Sequence, residues 1–113
     1  MSLIELPSYA NINAEEMAAK IGLNVKYIPI LVQSFTTESH GIMENLNSAV
    51  ASKDYEQIMQ AAHSIKGSSG NLKFNEMYEL SRDLELSAKE QNADYPYEEA
   101  AQSLQKAIDS ISL

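Results

Sequence analysis

The 113-residue chain contains no cysteine, which excludes both a disulfide framework and a thiolate metal site. No apolar run approaches the roughly 18 to 20 residues that a membrane-spanning helix needs. The N-terminus lacks the charged and apolar regions of a secretory signal, so a soluble cytoplasmic protein is expected. Cations are scarce: eight Lys and Arg face sixteen Asp and Glu, for a formal charge of −8. Nucleic acid and anionic lipid repel such a chain, and neither nucleic-acid binding nor membrane insertion is expected. Also missing are a glycine-rich nucleotide loop and a Walker sequence, and one small domain leaves no room for an ATP-binding module. Autonomous kinase activity is therefore not expected.

What remains is a globular composition, 44% apolar, organised with helical periodicity and no convincing period-two stretch. Residues 1–113 read as one domain, with 1–11 an irregular N-terminal segment. A first short helix begins at Asn13, where Glu16 completes a capping box and Ile12 can staple onto Met17. Gly22 stops it. A longer helix runs from Asn24 or Tyr27 to Val50, with Ile28, Leu31, Val32, Phe35, Ile42, Leu46 and Val50 on one face. Pro29 fits only its first turn. A third helix starts at Asp54, a fourth spans Asn75 to Gln91, and a fifth spans Tyr95 to Ile111 with Pro96 in its first turn. Their stripes are Ile58–Ala62–Ile65–Ser69, Met77–Leu80–Leu84–Ala88 and Ala100–Leu104–Ile108–Ile111. Short connections favour antiparallel neighbours. The expected fold is all-α: an antiparallel up-and-down four-helix bundle with a short additional N-terminal helix, monomeric.

The charge is unevenly spread. Between Gln57 and Lys89, four cations (Lys66, Lys73, Arg82, Lys89) balance four carboxylates (Glu76, Glu79, Asp83, Glu85). Either this is chance, or the segment handles an anion within an otherwise repulsive field. It also contains the run Ala61-Ala62-His63-Ser64-Ile65-Lys66-Gly67-Ser68-Ser69-Gly70-Asn71-Leu72. Each glycine costs about 1 kcal/mol against alanine inside a helix. The run can be a helix ending at Lys66 with a loop beyond, or a helix whose small residues serve close packing. Ile58, Ala62, Ile65, Ser69 and Leu72 nevertheless keep helical phase throughout, which argues for a continuous helix.

On that helix, with Ile58 facing inward, Lys66 lies about 80° away, Gly70 about 120°, His63 about 140° and Gly67 about 180°. His63 is thus expected in solvent, with Lys66 and Gly67 one turn on. A neutral imidazole is a competent nucleophile near pH 7. Phosphoryl transfer asks mainly for positioning and charge neutralisation, which a neighbouring lysine supplies. Gly67 would leave room for another protein to close over the ring. A metal site is not expected, because His63 and His40 are distant and no carboxylate has ligand spacing. His40 reads as a solvated surface residue, and Met17, Met43 and Met77 as core.

The ten residues His63 to Leu72 resemble the signature of histidine phosphotransfer (HPt) domains: His, any residue, an aliphatic, Lys, Gly, small residues, then Asn-aliphatic. The likeness extends more loosely from Met17 to Ile108, and Leu80, Leu84 and Glu85 resemble the family's following helix. It implies a four-helix bundle with a phospho-acceptor at His63, shuttling phosphate to and from receiver-domain aspartates. Some such domains stand alone and others are C-terminal modules of hybrid sensor histidine kinases. It implies further that Lys66 assists at the phosphate, that Gly67 clears the approach, and that Glu85 hydrogen-bonds the imidazole while Lys89 supplies a basic position. Any Mg2+ needed for transfer would sit on the receiver; no cofactor is expected here. On spacing alone, Glu85 and Lys89 are equally an ordinary surface pair. Gly70, Met59, Tyr78 and Arg82 can line a docking face, although for Tyr78 and Arg82 a plain surface place fits as well. Lys73-Phe74 departs from the family, where Gly and a small residue are common. Two rival readings are an adaptor that docks receiver or kinase domains without phosphotransfer, and a small hydrolase using His63 as base; no matched nucleophile or oxyanion site supports the latter.

Overall fold

The computed structural model describes residues 4–113. Residues 4–10 carry no helix or strand, and the first three residues of the expected irregular segment lie outside the described chain. Helix α1 spans Ala14–Ile21; the Asn13 side chain accepts the Glu16 amide, and Gly22 ends the helix at φ 81°. A 3-10 turn, Val25–Tyr27, is capped by Asn24 and leads into α2, Ile28–Ser52, with Pro29 in the first turn where its missing amide proton does no harm. Helix α3 is Tyr55–Asn71, α4 is Asn75–Lys89 and α5 is Tyr97–Asp109.

Helices α2 to α5 close a ring in which α2 packs on α3 and α5, and α4 on α3 and α5. Successive helices joined by short turns must run antiparallel, so this is the up-and-down bundle, with α1 laid against α2. The four stripes meet in one core: Ile28, Met43, Leu46, Ile58, Ile65, Met77, Leu84, Leu104 and Ile108 are all sealed from solvent. Leu31, Ile42 and Val50 sit at its edge, while Ser39, Met43 and Ala49 take more central places on α2.

Helix α5 is shorter at both ends than its pattern suggests. Pro96 stands at the cap rather than in the first turn. At the other end, residues 110–112 leave the helix to bond the N-terminal segment. Tyr9 N–H donates to Ser110 Oγ at 2.8 Å, Ser112 N–H to the Tyr9 carbonyl at 3.2 Å, and Ile12 N–H to the Ser112 carbonyl at 2.8 Å. The Tyr9 ring covers Phe74 (centroids 4.7 Å apart), which in turn meets Phe35 edge-on at 5.5 Å. This explains Phe74 in the unusual Lys73-Phe74 pair. Lys73 takes the left-handed conformation (φ 62°) that glycine adopts most readily, and Phe74 is buried under the N-terminal segment.

Candidate functional site

Helix α3 runs unbroken through Gly67 and Gly70. Asp54 starts it by accepting the Gln57 amide at 3.2 Å, and Ser69, fully buried, returns its hydroxyl to the Ile65 carbonyl at 2.6 Å. The loop reading is thereby excluded. Ala62, Ile65 and Ser69 face inward, and His63 faces out with its side chain 67% exposed.

The two glycines of this helix have different surroundings. A Cβ on Gly67 would meet nothing within 4 Å. A Cβ on Gly70 would lie 3.1 Å from Cδ2 of Tyr78. Gly70 therefore permits close packing of α3 on α4, with the Tyr78 ring against its backbone. Gly67 leaves an open stretch of backbone beside the imidazole.

Glu85, from the middle of α4, joins the polar groups of α3. One carboxylate oxygen lies 2.7 Å from His63 Nδ1 and the other 2.6 Å from Lys66 Nζ. A carboxylate only accepts hydrogen bonds, so Nδ1 carries the proton and a neutral ring leaves the Nε2 lone pair free. Nε2 has no partner among the described residues. Burial alone would raise the Glu85 carboxyl. Hydrogen bonds from Lys66 and His63, and their charges, outweigh that and hold it below the usual range. Lys66 is half-buried and paired, not standing free beside the ring.

This arrangement decides between the two readings of Glu85. Its partners are on α3, and no ion pair with Lys89 forms among the described residues. Lys89 and Arg82 are exposed. Met59 is half-buried against the core, offering only part of its side chain to a docking face. His40 is exposed on α2, and no group of three His, Cys, Asp or Glu among the described residues is placed to hold a metal. Spacing could not have revealed the Lys66–Glu85 bond, which joins separate helices.

The sequence pattern of the Hpt domain matches residues 30–112. The chain belongs to the Hpt domain family. Hpt domains are phosphoryl carriers of histidine phosphorelays, and their partners are receiver domains. The match leaves out α1, the 3-10 turn and the segment that covers Phe74. Comparison with curated proteins and with solved structures gave no match. In this Hpt bundle no helix among the described residues is long and apolar enough to cross a membrane.

Proposed function

We propose that His63 is the phospho-acceptor, taking a phosphoryl group from a receiver phosphoaspartate and passing it to another receiver. The observation that carries this is the exposed imidazole anchored through Nδ1 to Glu85, which leaves Nε2 as the outward nucleophile. In the forward step the Nε2 lone pair attacks phosphorus, the acyl-phosphate bond breaks, and the aspartate leaves as a carboxylate. The ring becomes cationic as the N–P bond forms, and Glu85 stabilises that charge through the Nδ1 proton. Lys66 can exchange Glu85 for the phosphoryl oxygens without moving along its helix, and Gly67 admits the partner's surface. Mg2+ would be supplied with the receiver's acidic pocket. In this reading the domain works as a cytoplasmic monomer, fed directly or by a hybrid sensor histidine kinase.

The test is incubation with a phosphorylated receiver and Mg2+. Acid-labile, base-stable label is expected on the protein, and His63→Gln should abolish it while the helical circular-dichroism signal stays. Label persisting in that variant overturns the assignment of His63. No label from any receiver favours the adaptor.

A further inference from the structure

A second concave site opens where the α4–α5 loop passes the start of α3. It is a cleft of about 350 Å³ walled by Val50, Tyr55, Ile58, Tyr95, Pro96 and Tyr97. The three tyrosines form one inclined cluster: Tyr55 and Tyr97 lie 5.8 Å apart at 55°, Tyr95 and Tyr97 5.1 Å apart at 61°. The loop that carries two of them is fixed. Tyr97 donates its hydroxyl to the Asn92 carbonyl at 2.7 Å, and the Asn92 side chain accepts the Asp94 amide at 3.0 Å. Burial, then the Asp83 carboxylate, push the Tyr95 phenol up to about 12, so that ring stays neutral at any physiological pH.

The mouth of the cleft is acidic. Glu90, Asp94, Glu98 and Glu99 are all exposed, and no lysine or arginine lies between Glu90 and Glu99. Among the described residues, Glu98 and Glu99 line the cleft itself, and Lys53 is the one cation in its wall. A purely apolar occupant would gain the rings but nothing from the carboxylates, and an acidic one would be repelled. Aromatic walls with carboxylate at the rim suit a cation on a hydrocarbon stem.

We propose that this cleft docks a basic side chain, arginine in preference to lysine, presented by a partner protein. The guanidinium plane stacks on a tyrosine ring while its N–H groups reach a rim carboxylate in a paired geometry that an ammonium cannot copy. Tyr55 precedes His63 by about two helical turns, roughly 12 Å along α3. The cleft is therefore separate from the imidazole.

The experiment is a nitrogen-15 NMR titration of the whole chain with acetyl-Leu-Arg-Arg-Leu-amide, with Leu-Gln-Gln-Leu and Leu-Lys-Lys-Leu versions alongside. Saturable shifts are expected at Tyr55 and in the Ala93–Glu99 amides with the arginine peptide, weaker with lysine and absent with glutamine. Tyr95→Leu, and separately Glu98→Gln with Glu99→Gln, should each weaken binding about fivefold. His63→Gln should bind as the parent does, which separates this result from phosphotransfer. Shifts scattered over the carboxylates of α1 and α2 without saturation, equal binding of the glutamine peptide, or no shift at all would each overturn the proposal.

Discussion

Glu85 holds His63 and Lys66 together, one carboxylate oxygen to each, at 2.7 and 2.6 Å. A neutral amide can keep the first contact but cannot balance the Lys66 cation, nor the charge that the ring gains as the N–P bond forms. Glu85→Gln should therefore slow phosphoryl acceptance about tenfold, in the range seen when a group orienting a functional histidine is lost. Glu85→Ala should slow it more. Transfer kinetics from a phosphorylated receiver measure both, and parent-like rates in both variants would remove Glu85 from the mechanism. Because folding holds the Glu85 carboxyl below its usual range, its stabilising contribution is complete above about pH 4.3 and is lost as pH falls through the folded-state value. Glu85→Gln should flatten that acid limb.

Gly67 and Gly70 should respond differently to alanine. Gly67→Ala adds a methyl group to open space on a helix and should stabilise the fold by about 1 kcal/mol. Gly67→Gln should fold equally well but transfer slowly, because its side chain occupies the approach. Gly70→Ala must displace the Tyr78 ring and should gain less or lose stability, with the deficit relieved in a Tyr78→Ala background. Chemical denaturation of the four variants checks the pattern.

Lys73 sits at φ 62° on the surface, with no hydrogen bond or ion pair from its side chain among the described residues. Relieving a left-handed non-glycine residue is worth about 1 kcal/mol. Lys73→Gly should raise the melting temperature, whereas Phe74→Ala, which empties the contact with Tyr9 and Phe35, should lower it through a loss of about 3 kcal/mol of stability.

Tyr9 and Tyr95 should titrate late. Burial, with nearby Glu76 in one case and Asp83 in the other, pushes both phenols up to about 12. An acid whose folded value is raised favours the native state below its unfolded value near 10, and that advantage disappears between the two. Alkaline unfolding should accordingly begin above pH 10 or so and move upward in a Tyr9→Phe, Tyr95→Phe double variant. Ultraviolet absorbance of tyrosinate follows it directly.

The bundle was legible because each helix carries one apolar stripe with local boundary signals, such as the starts at Asn13 and Asp54 and the stop at Gly22. Phase through Gly67 identified α3 as continuous, since Ile65 and Ser69 could reach the core only on one unbroken helix. Contacts between distant segments were not legible. Nothing near Lys66 announces Glu85, and neither Tyr9 nor Phe74 signals the other. The C-terminal end of α5 was not legible for the same reason: its apolar period continues to Ile111, but Ser110 and Ser112 are hydrogen-bonded to residues 9–12. Likewise the tyrosine cleft is built from both sides of a polar loop, so only folding brings Tyr55 to Tyr97.

The bonds between Ile12 and Ser112, and between Ser112 and Tyr9, tie residues 9–12 to the segment after α5 in one knotless clasp. Neither segment can unravel alone: peeling away residues 4–12 bares Phe74 and takes the Tyr9 and Ile12 partners from Ser110 and Ser112 in the same event. Solvent exchange at the Ile12 and Ser112 amides should therefore proceed through a single shared opening, one that uncovers Phe74 where α3 hands over to α4.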